Sequence, residues 1–401
     1  MKIGILTFHR SINNGAVMQC YSLSKILKDS FPEHEVEVID YQMQSVDKSY
    51  KPTLATYLSG GSILGKAKRM LHYIMNPGIF NDAKIKYQVF NNAISQLPLS
   101  KFHVINDRSN EIEQYISNNI DILVVGSDAV WNYSTRGFPN VYFPVTELKC
   151  KKVSYAASCY GMDFLKCQES DRKEIGARLD DFSFIGVRDS ATEDFVRWSG
   201  CTIKPVHTCD PTLSLNVDSL PINKCELIDK LKERGFDFDK KAIGVMGNND
   251  MANMVRKLFG KDYQIVALFN RNPAADVQLF DISPFEWAYV FRYFSLTFTT
   301  YFHGTMLSLR NGVPVICVAL DTDFSKSHTP KVLDALKRLG LEDWYFHTDY
   351  KKENVEAIRL KAEELLRNES REKILAGVSK EAKSIQLLIN QIKSISNGGN
   401  K

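Results

Sequence analysis

Lys2-Ile-Gly-Ile-Leu-Thr-Phe8, His9-Arg-Ser-Ile-Asn-Asn-Gly15 and Glu35-Val-Glu-Val-Ile-Asp-Tyr41 decide how this chain is to be read. The first and third are short apolar strands, and the second is a Gly-bearing loop that leads into a helix from about Ala16 to Ser30. In that helix Val17, Tyr21, Ser24, Ile26 and Leu27 recur near helical spacing, which predicts one face packed on a sheet. Strand, loop, helix and strand open a right-handed βαβ unit, and so a doubly wound α/β fold. The loop has no GxGxxG spacing, so no dinucleotide is implied.

The same alternation continues along the chain. Ile120-Asp-Ile-Leu-Val-Val-Gly126-Ser127-Asp128, Lys152-Val-Ser-Tyr-Ala-Ala-Ser158 and Phe182-Ser-Phe-Ile-Gly-Val-Arg188 read as buried strands. Asp189 is placed to cap the helix that follows, and His207-Thr-Cys-Asp210-Pro211 closes this half with a Pro turn. A second series begins at Lys241-Ala-Ile-Gly-Val-Met-Gly247 and runs through Tyr263–Phe269, Ser295–Phe302 and Pro314–Leu320. The 401 residues exceed the roughly 250–300 that one core accommodates, which also favours two domains. The expected division is an N-terminal Rossmann-like domain over 1–215, a C-terminal one over 216–375, and a terminal helix and tail over 376–401. Residues 45–115 read as a helical insertion on the first domain, with Lys66, Lys68 and Arg69 punctuating amphipathic helices. A surface that docks on membranes or lipid-linked substrates is the functional reading of the same helices.

Composition excludes several classes. Apolar residues make up 44% and charged residues 24%, as in an ordinary globular chain. A formal net charge of +4 without long basic runs gives no footprint for nucleic acid. The eight cysteines contain no CxxC pair, so reduced, mostly buried thiols are expected rather than zinc ligands or a disulfide framework. The amino terminus passes directly into a strand, and no apolar run reaches the roughly 20 residues needed to span a bilayer. A cytoplasmic protein is expected, with work at the inner face of the membrane as the extension of that reading.

Chemistry is expected where strands end. In a doubly wound sheet the C-terminal ends of parallel strands face one crevice. Gly15, Ser127, Asp128, Ser158, Arg188, Asp210 and His303 all fall at such ends. His303 stands between a buried strand and a helix start, where unpaired N–H donors and a partial positive charge favour anions. Arg188 beside Asp189 also reads as a plain ion pair, and Asp128 and Asp210 also read as turn caps. No P-loop, no GxSxG elbow and no metal-ligand spacing occurs; Asp321-Thr-Asp323 has the letters of a metal–diphosphate motif but lies in a polar loop.

The ordered set Gly4–His9, Asn13-Asn-Gly15-Ala-Val-Met-Gln19, Val124-Val-Gly-Ser-Asp128-Ala-Val-Trp131-Asn132, Val187-Arg188-Asp189, Asp210-Pro-Thr-Leu213, Phe302-His303-Gly304-Thr305 and Pro330-Lys331-Val332 resembles the polysaccharide pyruvyl transferase family. The resemblance runs from residue 2 to about 340. It implies two facing Rossmann-like domains, GT-B-like, with a cleft between them. It also implies transfer of a pyruvyl group from phosphoenolpyruvate, the co-substrate, to a saccharide or lipid-linked oligosaccharide; no other cofactor is expected, and the residue spacing itself marks no metal site. Carried over by position, His303 and Asp128 are the catalytic candidates. Arg188, Lys331, Gly304, Thr305 and Tyr301 are donor-binding candidates, and His9, Asn14, Gly15, Ser127 and Trp131 acceptor-binding candidates.

The residue types suit that chemistry. A donor with a carboxylate and a phosphate needs several cations and N–H groups, and an imidazole can move the hydroxyl proton. Tyr301 is a departure, because some members of the family have Arg at that position. A phenol can donate to phosphate without neutralising it, which shifts the load to Arg188, Lys331, Arg271 or Lys326. Two alternatives share the scaffold: a GT-B glycosyltransferase using a nucleotide sugar, and a non-catalytic sugar- or anion-binding protein.

Overall fold

The strands of the first half are β1 (Lys2–Leu6), β2 (Glu35–Gln42), β3 (Leu99–Ile105), β4 (Ile122–Val125), β5 (Lys151–Ala157), β6 (Phe182–Val187) and β7 (Val206–His207). Those of the second are β8 (Ala242–Met246), β9 (Gln264–Leu268), β10 (Val277–Leu279), β11 (Phe294–Thr299), β12 (Val315–Ala319) and β13 (Tyr345–His347). They belong to a computed structural model that describes all residues except 45–47, 49, 59–61, 76, 106–109, 136, 320–327, 348–351, 368–369 and 399–401. Asp321-Thr-Asp323 and Lys326 lie outside the described residues.

Among the described residues the strands form two sheets, in the orders β3-β2-β1-β4-β5-β6-β7 and β10-β9-β8-β11-β12-β13. Every pairing is parallel; Ile3, for example, stands opposite Val36 on one side and Ile122 on the other. Helices cover both faces of such sheets, which is why the central strands are apolar throughout rather than alternating. In both sheets the order reverses beside the first strand, so each has its switch point there, and ligands bind outside the strand ends at such points.

The helices that matter for the site are α1 (Asn14–Ser30), α2 (Ile63–Met75), α3 (Pro77–Ile94), α4 (Ser190–Trp198), α5 (Pro284–Val290), α6 (Phe302–Arg310), α7 (Lys331–Leu339), α8 (Arg371–Ala382) and α9 (Ile385–Gly398). Helix α1 does more than pack one face on its sheet. Val17, Met18, Cys20, Leu23 and Leu27 are buried, and Tyr21 meets Phe285 of α5 edge-on at 4.9 Å, so it also joins the two halves. Helix α3 makes a second junction: Lys86 Nζ donates to Asn270 Oδ1 at 2.8 Å, and Arg271 pairs with Asp82.

Two elements differ from the expected organisation. The 45–115 region is not wholly helical, because Leu99–Ile105 adds the edge strand β3 to the first sheet, with Asp40 opposite His103 and Tyr41 opposite Val104. Its outer face is wet, so apolar and polar residues alternate and the segment lacks the continuous apolar run that marks the inner strands. The tail also divides. Ile374 and Val378 of α8 lie in the second core, whereas Ile385, Leu388, Ile389 and Ile392 of α9 pack with Val153 and Tyr155 beneath the first sheet. Helix α9 therefore returns to the half that β1 opens.

Candidate active site

Five elements converge on one cluster. The turn after β4 contains Gly126, where φ is +112° and a Cβ would lie 2.3 Å from the Tyr155 carbonyl oxygen, a place only glycine fits. It delivers Asp128, itself at φ +78°, held there as its carbonyl accepts from Val130 N (2.8 Å) and Ser158 N (2.9 Å). Arg188 ends β6. Asp189 after it caps α4, accepting from Thr192 N at 2.9 Å, and also accepts from Ser158 Oγ at 2.5 Å. Asp210 follows β7 and divides its carboxylate. Oδ1 caps the Pro211 turn through Thr212 N (3.1 Å) and Thr212 Oγ1 (2.6 Å), which leaves Oδ2 facing the cleft.

Arg188 is the hub. Its Nη1 donates to Asp210 Oδ2 at 3.0 Å and its Nη2 to Asp128 Oδ1 at 3.3 Å, while its guanidinium lies 4.6 Å above the Phe302 ring. Nε is buried without a partner. His303, in the first turn of α6, brings Nε2 to 3.3 Å from Asp210 Oδ2, a charge contact too bent to be a hydrogen bond. Lys331, the first residue of α7, sets Nζ 4.9 Å from the Tyr160 ring and 5.5 Å from that of Phe302.

Electrostatics follow from this crowding. Burial pushes the Asp210 carboxyl up, but His303 and Arg188 outweigh it and hold it well below the usual carboxylate range. Asp128 is likewise opposed by burial and held low by Arg188, then His303 and Lys331. Burial, then Arg188, lowers Lys331. Two cations face the carboxylates of Asp128 and Asp210, and Asp189 also acts on both cations, so the cluster is slightly negative with a neutral imidazole and near neutral with an imidazolium.

A chamber of about 210 Å³ lies between the halves, walled by Asn13–Gly15 from the start of α1 and by Tyr301–Gly304 and Lys331 opposite. Gly15 is where the two meet. A Cβ there would lie 1.9 Å from His303 Nδ1, so this approach of helix to imidazole needs glycine. Among the described residues, three buried polar atoms on its wall make no hydrogen bond: Asn14 Oδ1, Trp287 Nε1 and His303 Nε2. A second chamber of about 560 Å³ opens over the ends of β8, β11 and β12, and shares Tyr301 and Lys331 with the first. A third, about 260 Å³, runs from Asp128 to Arg10 past Phe8, Tyr41 and Tyr142.

Asp128, Arg188, Lys331, His303, Gly304, Tyr301, Asn14 and Gly15 thus gather around the cleft. Three other candidates from the sequence do not. Trp131 is fully buried, packs among Phe143 and Phe182, and donates to Tyr142 O at 3.0 Å. Ser127 is fully buried and donates to Gln19 Oε1. Thr305 is buried against Cys317 and the Tyr301 carbonyl. The side chains of these three are turned into the core and line none of the chambers. His9 does line the 260 Å³ chamber, with both nitrogens engaged, one with Asp40 Oδ1 at 3.0 Å and one with Thr7 O at 3.2 Å. Arg271, a proposed substitute cation, is tied to Asp82 and stacked 3.7 Å over Phe280, and its neighbour Asn270 rather than Arg271 itself lines the 560 Å³ chamber. Asp210 and Phe302 are the residues that sequence reasoning undervalued. The Asp-Pro pair reads as a cap, and the signal for its second role is the free oxygen that one cap leaves. Among the described residues no three His, Cys, Asp or Glu side chains gather as metal ligands.

Two parallel Rossmann-like sheets, a cleft between their strand ends and a terminal helix crossing back define the GT-B fold. Its solved relatives include the UDP-GlcNAc 2-epimerase of Neisseria meningitidis bound to UDP-GlcNAc (TM-score 0.56, 12% identity, covering 98% of this chain and 100% of that one). Another is the UDP-GlcNAc 2-epimerase of Methanocaldococcus jannaschii (TM-score 0.53, 12% identity, 97% and 99% covered). At such identity the likeness concerns the fold alone. No curated protein matches the chain. The family profile described as Polysaccharide pyruvyl transferase matches residues 13–322, and the chain belongs to that family of transferases.

Proposed function

We propose that this protein transfers the pyruvyl group of phosphoenolpyruvate to two hydroxyls of a saccharide of a cell-surface polysaccharide or its precursor, forming a cyclic ketal and releasing phosphate. The observation that carries the reading is the 210 Å³ chamber: of a size for a three-carbon donor, it has Lys331, His303 and the first turn of α6 on its wall. Lys331, the Tyr301 phenol and the N–H groups of that turn hold the anionic groups, with the Arg188 charge close behind. Asp128 orients the acceptor hydroxyls, which enter from the 260 Å³ pocket beside it.

The donor methylene is protonated and its C2 becomes oxocarbenium-like. One hydroxyl attacks C2 and gives its proton to His303. The second displaces phosphate from the same carbon. Of the two protons lost by the acceptor, one is balanced by the new methyl group and the other by the released phosphate. Asp210 orients His303 and steadies its imidazolium form.

Incubation with phosphoenolpyruvate and candidate glycans should release phosphate together with a mass gain of one pyruvyl ketal on the acceptor. His303→Ala should lower turnover by about 10²–10⁴; full activity in that variant would remove His303 from the mechanism. The 560 Å³ chamber, larger than this donor needs, favours a second reading as a glycosyltransferase. Consumption of a nucleotide sugar in place of phosphoenolpyruvate would select it.

A further inference from the structure

Residues 48–81 contain five cations, Lys48, Lys51, Lys66, Lys68 and Arg69, and no carboxylate. The whole chain carries a formal net charge of +4, so everything outside this segment is slightly negative and the positive excess is local. Helix α2 occupies its centre. Among the described side chains of α2, helical spacing puts Ala67, Met70, Leu71 and Ile74 on one side, with Lys66 and Lys68 flanking that stripe. Such an apolar stripe ordinarily turns into a core. Here Leu71 is 59% exposed and Ile74 is 67% exposed, with Leu54 of the preceding turn 39% exposed. Lys66 and Lys68 of the same helix are exposed, as are Lys48 and Lys51 earlier in the segment.

We propose that α2 lies in the plane of an anionic lipid bilayer, with Leu71 and Ile74 in the head-group region and the surrounding lysines on lipid phosphates. Charge selects this occupant. A second copy seated on the same face would set Lys66 and Lys68 against their own copies across a two-fold interface. No described helix is long and apolar enough to cross a membrane, so the contact is one of surface attachment. Helix α3 follows α2 directly and fastens to Asn270, a wall residue of the 560 Å³ chamber. Docking through α2 therefore holds the cleft mouth near the bilayer, where an acceptor carried on a lipid phosphate is presented. The attachment stands apart from the pyruvyl reading, since it needs no donor.

The test is sedimentation of the full chain with vesicles of phosphatidylcholine alone or mixed with phosphatidylglycerol, at low and high salt. Binding to the mixed vesicles, released by salt, is expected. The double variant L71S/I74S, which alters only exposed side chains, should bind on the order of 100-fold more weakly. K66Q/K68Q should lose roughly 10- to 30-fold. Failure of the unaltered chain to bind mixed vesicles overturns the proposal and leaves an acidic protein as the occupant. Equal binding to neutral vesicles, or unweakened binding by L71S/I74S, overturns it as well. So does a concentration-dependent dimer that L71S/I74S abolishes, which would give the face to a second copy.

Discussion

Gly15 and His303 come from opposite halves and are separated by less than the width of a methyl group, so the imidazole is positioned by what Gly15 lacks. Gly15→Ala should displace the ring and lower kcat/KM on the order of 100-fold, as a misplacement of about 1 Å does. Its stability should fall by only about 1–3 kcal/mol, because the clash can be relieved by moving one side chain into the chamber. Steady-state kinetics beside urea unfolding separate the two effects, and wild-type turnover in the variant would show that the ring position is unimportant. Lys331 yields a prediction in pH. Burial and Arg188 lower its pKa, so it surrenders its proton at lower pH than an exposed lysine and its grip on an anion fades sooner as pH rises. Lys331→Arg keeps its charge there and should hold the donor KM flat into a more alkaline range. Identical alkaline limbs for the two proteins would take Lys331 out of donor binding. At this scale the sequence was legible by residue type and place: His303, Arg188, Asp128 and Lys331 all stand at strand ends or helix starts. Burial was not. Ser127 and Trp131 stand at the same kind of end, yet the peptide turns them into the core, and no spacing rule reports which way a side chain leaves a turn.

Legibility among the elements follows the same physics. Strands covered on both faces announce themselves as apolar runs, and β1, β2, β4, β8 and β12 were readable from composition alone. The edge strand β3 has one wet face, so Lys101 and His103 interrupt its pattern and it merges with its helical surroundings. Helix α9 was readable as a helix but not as a crossing, because an apolar stripe records that a face is buried and not which sheet buries it. That crossing has an energetic consequence. Leu388 is fully buried in the core beneath the first sheet, and Ser384, at the bend before α9, accepts Cys209 N through Oγ at 2.9 Å. Leu388→Ala should cost about 2–5 kcal/mol through lost transfer energy and the cavity left behind. Chemical unfolding with an unchanged midpoint would mean that α9 rests on the first half without supporting it.

For the molecule as a whole, three of the depressed carboxyls, Asp40, Asp128 and Asp210, tie stability to pH. Burial opposes ionisation of Asp40, but hydrogen bonds from Arg10 and His9 hold its carboxyl well below the usual range; Asp128 and Asp210 are held low in the same sense at the cleft. The folded chain therefore binds fewer protons than the unfolded chain over the acid range. The stability these groups contribute is complete above the ordinary carboxylate value of about 4 and is lost as pH falls below it. Asp210→Asn isolates one of them. The variant retains an oxygen to cap Thr212 but leaves Arg188 short of a charge partner and His303 without its neighbouring carboxylate, at a cost of about 3 kcal/mol near neutrality. On acidification the wild-type Asp210 itself becomes neutral, and the difference between the two proteins must shrink. Unfolding free energies measured from pH 7 down to the acid limit of folding should therefore converge, with the wild-type curve the steeper. A gap that stays constant across that range would show that Asp210 acts through shape alone, and that the charge network joining the two halves at Arg188 and His303 adds nothing to holding them together.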